Sequence, residues 1–291
     1  MSSISRKIIV TFLFMLALSS AVFATDYRYS RIDVPSSSLT IVRGINARGD
    51  IIGFYVGLDG VGHDFLLRNG IFSNIVYPGD ASARAMNARG DIVGAFGDAS
   101  GGHAFLLRDG KFTKIDYPGA SSTIAFGINN TGDITGQYVT ASGVVRGFIL
   151  SNGAFHTVYV NGGPNIGVHG AQDNGRVLIG DVVLTSDQST RGYRKLSNDV
   201  LLLEPPGTIF PCSHARAVNE RGDIAGAFGI VNSAAECHAP NHGFVFRDGV
   251  YDVIDPPGSH DTFVFGMNDD GIVVGVLTDQ FGHVHGFKAR P

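Results

Sequence analysis

Residues 44–50 read Gly-Ile-Asn-Ala-Arg-Gly-Asp, and the phrase returns as Ala-Met-Asn-Ala-Arg-Gly-Asp at 85–91 and in shorter forms four more times. The recurrences are anchored at Asn46, Asn87, Asn129, Gln172, Asn219 and Asn268, with spacings of 41, 42, 43, 47 and 49 residues. Self-similarity at such a period is typical of arrays of small structural units. The sequence therefore predicts a repeat protein rather than one conventional core.

The second repeat shows the unit most clearly. Four short runs rich in β-branched, aromatic and aliphatic residues occupy 82–87, 91–96, 103–108 and 111–117, and each is bounded by Gly, Pro, Asn or Asp. Asp109-Gly110 between the last two runs is a strong hairpin signal. We predict four antiparallel strands per repeat, called a to d in chain order. The fold class is all-β.

The two ends of the chain complement each other. The sixth repeat has strands a to c at 262–268, 272–277 and 283–288 and then ends, whereas residues 29–35 match the d-strand phrases at 114–118 and 253–256. A sheet completed from both ends leaves no open edge. We predict a six-bladed β-propeller with four strands per blade, closed by residues 27–34 as the outer strand of the last blade. A linear β-solenoid is the alternative, with shorter rungs.

The first 24 residues have the zones of a secretory signal peptide: Arg6-Lys7, an apolar run over 8–18 and small residues ending at Ala24. We predict cleavage after Ala24, a propeller domain over 25–291, secreted or periplasmic location and no membrane span after cleavage. An uncleaved anchor is the rival interpretation. Without residues 1–24 the chain has 20 basic and 26 acidic residues, a net charge of about −6. This negative charge argues against nucleic acid as a partner.

A second phrase recurs where strand c begins. The triplet His-Ala-Phe at 103–105 has related forms in each repeat, and together with the Ile-Asn-x-x-Gly-Asp phrase it resembles the bacterial extracellular HAF-repeat proteins. The resemblance covers nearly all of the mature chain and implies an exported repeat protein of propeller type. It supplies no reaction and no catalytic residues. Repeat four departs most, with Gln172, Arg176 and Arg191 at recurring positions.

The first residues of these triplets form one candidate set near the top face, which we define as the face carrying the b–c and d–a loops. The set is His63, His103, Arg146, Arg191, His242 and His285. Such a ring could surround a ligand, but recurring histidines in the similar WD-repeat propellers hydrogen-bond within a blade. We favour this structural role, because a buried imidazole normally has a protein partner.

Strand a carries the candidate binding set. Equivalent positions on the innermost strands hold Arg43, Arg84, Phe126, His169, Arg216 and Phe265. Arginines near the axis predict a positively charged pocket for a ligand bearing a carboxylate or sulfate. The alternative is that each arginine pairs with an acidic side chain between blades.

Other chemistry is less well supported. No Gly-x-Ser-x-Gly, His-Glu-x-x-His or phosphate-loop motif occurs, and the aspartates after the a–b turns stand alone rather than in a calcium cluster. We therefore expect no cofactor, no metal and no catalytic set. Paired carboxylates from separate blades remain an open alternative.

Repeat five differs by an enlarged b–c loop, residues 230–241. Cys237 lies in this loop and Cys212 in the preceding connection, so we predict a Cys212–Cys237 disulfide in the exported protein. The loop, flanked by His214, His238 and His242, is a candidate recognition element. A zinc site of cysteine and histidine is the minority interpretation.

The sequence thus predicts a non-enzymatic binding or interaction module whose ligand is held at the top face or in the central pocket. The expected partner is a small anionic ligand, a glycan or a surface protein. Two alternatives remain: a hydrolase or lyase acting on polysaccharide through the central pocket, and a structural cell-surface protein. A carboxylate–histidine pair at the axis would favour catalysis, and an exposed apolar patch would favour the structural role.

Overall fold

A computed structural model of the chain describes residues 26–77, 81–160, 166–207, 210–231, 233 and 241–291. The predicted signal peptide, Cys237 and His238 lie outside these residues. Every regular element in the described ranges is a β-strand, so the predicted all-β class is confirmed. Within these ranges we find no helix with the length and apolar character that crossing a bilayer requires.

The strands divide into six units of four antiparallel strands, which we call blades 1 to 6; four of them are separate sheets, and blades 2 and 3 are joined into one sheet by a parallel pairing of Ser122 with Gly102. Blades 1 and 2 comprise β2 (Ser37–Ile45), β3 (Ile51–Gly57), β4 (Gly62–Arg68) and β5 (Ile71–Asn74), then β6 (Ala81–Met86), β7 (Ile92–Asp98), β8 (Gly101–Arg108) and β9 (Lys111–Ile115). Blades 3 and 4 comprise β10 (Ala120–Ile128), β11 (Ile134–Thr140), β12 (Val145–Ser151) and β13 (Ala154–Val158), then β14 (Ile166–Ala171), β15 (Val177–Val183), β16 (Thr190–Leu196) and β17 (Asp199–Leu202). Blade 5 comprises β18 (Phe210–Val218), β19 (Ile224–Val231), β20 (Asn241–Arg247) and β21 (Val250–Ile254). Blade 6 comprises β22 (Ser259–Met267), β23 (Val273–Asp279), β24 (Val284–Arg290) and β1 (Arg28–Ile32).

The pairing of β1 with β24 brings the two ends of the described chain into one sheet. Arg28 lies opposite Arg290 and Ile32 lies opposite Gly286, in antiparallel register. The side chain of Ile32 is buried against the core of blade 1. The N-terminal strand is therefore the fourth strand of blade 6, as the matching d-strand phrases predicted.

The recurring asparagine explains why the a–b turn repeats so faithfully. Oδ1 of Asn46 accepts hydrogen bonds from the backbone N–H groups of Arg48 and Asp50, which closes its own turn. Its Nδ2 donates to the backbone oxygen of Asn87 in the next blade, at 3.2 Å. The same link joins Asn87 to Asn129, Asn129 to Gln172, Gln172 to Asn219, and Asn268 back to Asn46. The sequence predicted the turn but not this connection between blades.

The core lies within and between the blades and repeats with them. Each third strand buries one aromatic side chain that is at most 1% exposed: Phe65, Phe105, Phe148, Tyr193, Phe244 and Phe287. Each such ring contributes roughly 2–3 kcal/mol through burial. The second strand carries glycine opposite it, because a Cβ at Gly136 would lie 2.0 Å from the oxygen of Ile124 and 2.8 Å from the Phe148 ring. Close packing therefore explains why a buried aromatic residue recurs in the third strand and a glycine in the second strand of each blade.

Candidate functional site

A central cavity of about 490 Å³ opens among the innermost strands, towards the top face where these strands begin. All six residues of the candidate binding set line it: Arg43, Arg84, Phe126, His169, Arg216 and Phe265. Further towards the bottom face, the small residues at the next position narrow the axis to a space of about 110 Å³. A Cβ at Gly127, for example, would lie 2.4 Å from the oxygen of His169. The cavity therefore has a narrow floor and an open mouth.

Arg43 is held in place by its surroundings. Its Nη1 donates to Oγ of Ser82 and to the backbone oxygen of Ala83, and lies 3.5 Å from Oδ1 of Asp64. Burial lowers the pKa of Arg43, and the negative charge of Asp64 opposes this shift. Burial also raises the pKa of Asp64, against a hydrogen bond from the Ala83 N–H and the charge of Arg43. Arg43 thus faces an acidic side chain of its own blade, and its contacts with the next blade are the hydrogen bonds to Ser82 and Ala83.

Arg84 lies in a different environment, although it is the next arginine around the axis. Its guanidinium makes no hydrogen bond or ion pair with any described residue, and the side chain is exposed to the solvent of the cavity. Although the side chain is open to the cavity, the surrounding protein restricts its hydration and so lowers the pKa of Arg84; the positive charges of Arg43 and Arg216 lower it further, and the charge of Asp64 partly opposes them. An anion placed at this guanidinium would relieve that repulsion. Arg84 is therefore the cationic group in the cavity that has no protein partner among the described residues.

The opposite side of the cavity is organised by Asp181, at the inner side of β15. Its Oδ2 lies 3.0 Å from Nη1 of Arg216, 3.0 Å from Nδ1 of His214 and 3.3 Å from Nε2 of His169. Its Oδ1 accepts a hydrogen bond from the backbone N–H of Ala215 at 3.0 Å. Although burial opposes ionisation, the charges of Arg216 and His214 hold the pKa of Asp181 well below its usual range. Asp181 is therefore the counterion of Arg216.

His169 is uncharged at neutral pH in this arrangement. Burial, followed by the positive charge of Arg216, lowers the pKa of His169 to about 4. Nη1 of Arg216 lies 2.6 Å from Nε2 of His169, so the imidazole serves as a hydrogen-bond acceptor for the guanidinium. The neutral ring adds an aromatic surface to the wall of the cavity.

Aromatic side chains complete that wall. The rings of Phe126 and His169 lie 4.5 Å apart between centroids, and those of Phe263 and Phe265 stack at 4.8 Å. The Arg216 guanidinium lies 5.4 Å from the centroid of Phe263. The cavity thus combines flat apolar surfaces with guanidinium groups, a set of walls suited to a ring-shaped polar ligand that carries negative charge.

Sequence reasoning missed Asp181 and Asp64, although the repeats contain the signal for both. At the position of Asp181, directly after the strand-b glycine, the other repeats have Phe54, Ala95, Gln137, Ala227 and Val276. At the position of Asp64, the second residue of the His-Ala-Phe triplet, the other repeats have Ala104, Gly147, Gly192, Gly243 and Gly286. At each of these two repeat positions, one repeat has an aspartate and the other five have no acidic residue.

The six triplet residues lie apart from the central cavity, and none of them contributes to its lining. His103 lies between Asp116 and Asp98, at 2.8 and 3.0 Å, and although burial opposes the shift, hydrogen bonds to these aspartates raise the pKa of His103. Comparable pairs within a blade join His242 to Asp255, His285 to Asp33, and Arg191 to Asp187 and Glu204. His63 contacts the Tyr55 ring, and Arg146 donates to the Val145 oxygen.

The cysteine prediction falls partly outside the described residues. Cys212 is fully buried beside Val231, whereas Cys237 and most of the enlarged loop belong to the undescribed part of the chain. Of the three histidines that flank the loop in sequence, His214 faces Asp181 and His242 faces Asp255. The disulfide and the recognition loop stay predictions.

No known family profile matches this sequence, and no curated protein matches it. Solved structures do resemble the fold. A mutant of the Aleuria aurantia lectin in complex with Fucα1-6GlcNAc matches with a TM-score of 0.54 and 11% identity, over 87% of this chain and 93% of that one. Another structure of this lectin, described as a six-bladed β-propeller with a novel fucose recognition mode, has a TM-score of 0.51 and 12% identity over 89% and 93%. AofleA from Arthrobotrys oligospora matches at 0.53 and 12%, over 90% and 85%.

These likenesses, together with the six four-stranded blades, define the class of the protein: it is a six-bladed β-propeller. At such low sequence identity these structures are evidence for the fold and for nothing more specific. The nature of its ligand has to be argued from the cavity.

Proposed function

We propose that this protein is an exported propeller, closed into a ring by its N-terminal strand, that binds an acidic glycan in its central cavity without chemically changing it. The observation that carries the proposal is Arg84, a cavity-facing guanidinium that has no partner among the described residues and is flanked by the charges of Arg43 and Arg216. A carboxylate or sulfate would accept paired hydrogen bonds from it. Arg43 and Arg216 each face a carboxylate of the protein, Asp64 and Asp181 respectively, whereas Arg84 forms no ion pair with any described residue.

The walls of the cavity support a sugar as the carrier of that negative charge. A volume of about 490 Å³ suits a ligand of one or two rings, and Phe126 and Phe265 offer flat surfaces for the apolar face of a sugar. Propellers of similar fold include a lectin in complex with a fucosylated sugar. The arginines distinguish the present cavity and favour an acidic sugar.

Export is part of the proposal because glycans of this kind occur outside the cytoplasm. It is supported by the signal-peptide zones of residues 1–24 and by the resemblance to HAF-repeat proteins. We also propose the Cys212–Cys237 disulfide, which would enclose 26 residues and contribute roughly 3 kcal/mol to stability. Two free thiols in the exported protein, measured by mass spectrometry, would contradict it.

Calorimetric titration of the mature protein, residues 25–291, tests the binding proposal. We expect disaccharides containing a uronic acid to bind at least tenfold more tightly than their neutral counterparts, because only the acidic sugars pair with Arg84. Arg84→Ala should abolish this preference. Arg28→Ala, which removes an exposed arginine on the outermost strand, should leave it unchanged. Equal affinity for acidic and neutral sugars, or unaltered binding by Arg84→Ala, would overturn the proposal.

A hydrolase or lyase is the second candidate, because His169 and Asp181 form the carboxylate–histidine pair that the sequence reasoning associated with catalysis. The imidazole of His169 could accept a proton only after its Nε2 is released from Arg216, and Asp181 is committed to Arg216 and His214. Prolonged incubation with acidic polysaccharides, followed by assays for reducing ends and unsaturated sugars, separates the two functions. Product that disappears in Asp181→Asn would establish catalysis.

A structural surface protein is expected to expose a contiguous apolar patch. The exposed large apolar side chains of the described residues, such as Leu58, Ile71, Leu201, Val253 and Phe281, are distributed over several blades. This distribution favours the cavity over the outer surface as the place of recognition.

A further inference from the structure

The hairpin that joins β23 to β24 gathers three metal-ligating side chains away from the central cavity. Asp279 ends β23, His283 lies in the turn, and His285 follows in β24. Oδ2 of Asp279 lies 3.2 Å from Nδ1 of His283 and 3.7 Å from Nε2 of His285. One ligand atom from each of the three residues lies within 4.8 Å of the other two.

The turn itself orients the carboxylate. Oδ1 of Asp279 accepts hydrogen bonds from the backbone N–H groups of Phe281 at 2.8 Å and His283 at 2.9 Å. The oxygen that remains, Oδ2, is the one that faces the two imidazoles. The backbone of the turn therefore fixes the orientation of the Asp279 carboxylate.

A second carboxylate orients His285. Oδ2 of Asp33, in the N-terminal segment after β1, lies 3.0 Å from Nδ1 of His285. A hydrogen bond from Nδ1–H to this carboxylate leaves Nε2 without a proton and directed at the cluster. Metal-binding histidines commonly have such an outer partner, which fixes the tautomer and raises the basicity of the ligating nitrogen.

We propose that Asp279, His283 and His285 bind one Zn²⁺ ion, through Oδ2, Nδ1 and Nε2, with water as the fourth ligand. Tetrahedral ligands at about 2.0–2.1 Å from zinc lie roughly 3.3 Å apart, close to the two measured separations. Two imidazoles with one carboxylate suit zinc, whereas Ca²⁺ prefers a shell of oxygen ligands.

Arg31 is the group that opposes this site. Its Nη1 lies 3.5 Å from Nε2 of His285, the nitrogen assigned to zinc, and its side chain is exposed. Zinc binding requires the guanidinium to swing into solvent. Arg31→Ala should therefore strengthen zinc binding, an effect that would not follow if His285 served only to pair with Asp33.

Blade 2 provides an internal comparison. Asp98, His103 and Asp116 occupy the places of Asp279, His285 and Asp33, but the turn there contains no second histidine. Nζ of Lys114 lies 3.2 Å from Nε2 of His103, in the place that Arg31 has in blade 6, so the second histidine is what distinguishes the two blades. Among the described residues only blade 6 has the ligand set, so one ion is expected at this hairpin.

The site lies where the N-terminal segment meets the last strand, so a bound metal should affect the stability of the fold. Because Asp33 belongs to the N-terminal segment and His285 to the last strand, zinc would strengthen a hydrogen bond that joins the two chain ends. Zinc should therefore raise the thermal stability of the whole propeller, in addition to binding measurably.

The experiment titrates Zn²⁺ into metal-free mature protein and records heat and melting temperature. We expect one ion per chain, a higher melting temperature and no effect of Ca²⁺. His283→Gln should weaken zinc binding at least tenfold, and Asp33→Asn about tenfold. His156→Gln, at an exposed histidine of blade 3, is the matched control and should bind as the wild type does. Absence of zinc-dependent heat, or unchanged affinity in His283→Gln, would overturn the proposal. Neither result bears on glycan binding in the cavity.

Discussion

Nη1 of Arg216 in blade 5 lies 3.0 Å from Oδ2 of Asp181 in blade 4. The ion pair crosses the boundary between two blades, and the backbone N–H of Ala215 donates to the other carboxylate oxygen. Asp181, on the second strand of blade 4, therefore holds that blade against the innermost strand of blade 5 while it positions the wall of the cavity.

Asp181→Ala should lower the free energy of unfolding by about 2–3 kcal/mol, because it leaves the guanidinium of Arg216 without its counterion in a largely buried place. Urea denaturation measures the change. Asp199→Ala, at an exposed aspartate of β17, is the control and should change stability by less than about 0.5 kcal/mol. Equal effects of the two substitutions would contradict a structural role for the ion pair.

Stability should depend on the protonation of His169. The pKa of this imidazole is about 4 in the folded protein, below its ordinary value near 6.5, so the unfolded chain binds the additional proton between these two pH values. The contribution is therefore fully present above about pH 6.5 and is lost as the pH falls towards 4, amounting to about 3 kcal/mol at most.

The substitution His169→Phe tests this pH dependence, because blades 3 and 6 carry Phe126 and Phe265 at the same position. Urea denaturation between pH 7 and 4 should show a flatter profile for the variant than for the wild type. His156→Gln should keep the wild-type profile. A variant that loses stability with pH as steeply as the wild type would show that other groups dominate.

Asn87→Ala should destabilise the protein by about 2–3 kcal/mol, since it removes both the turn hydrogen bonds and the link to the oxygen of Asn129. Thermal and urea unfolding measure the loss. Asn198→Ala, at an exposed asparagine in the c–d turn of blade 4, should be close to neutral. If both variants are as stable as the wild type, the hydrogen bond between blades contributes nothing to the free energy of unfolding.

Ile32→Ala should cost about 2–4 kcal/mol, because the side chain is buried between the N-terminal strand and blade 1. Ser30→Ala, at an exposed position on the same strand, provides the control. Urea midpoints compare the two. A neutral Ile32→Ala would mean that β1 adds little to blade 6, and closure by this strand would then have to be abandoned.

Much of the architecture was predictable because the same physical constraint acts six times. The turn asparagine, the buried aromatic residue and the crowded glycine each recur at one place per blade, and the d-strand phrase at 29–35 predicted the partner of β24. The candidate binding set also followed from position alone, since equivalent residues of innermost strands must face one axis.

The remaining features depend on contacts between blades that a single repeat does not contain. Asp181 occupies a repeat position that is apolar or carries an amide in the other five repeats. Its role as a counterion depends on Arg216 in the next blade. The cluster on the β23–β24 hairpin was missed because reasoning about metals compared equivalent residues across blades. His283 and Asp279 lie within one blade and share no repeat position with His285.

The unequal residues at equivalent positions of the innermost strands have a consequence for valency. Arg43 and Arg84 adjoin on one side of the axis, whereas Phe126 and His169 adjoin on another, so the cavity has no rotational symmetry despite the sixfold plan of the backbone. A ligand bound there as we propose would fit one orientation and not the other five, and the cavity would offer a single place for it. Strong attachment to a surface that displays many copies of that ligand would then require several chains to act together.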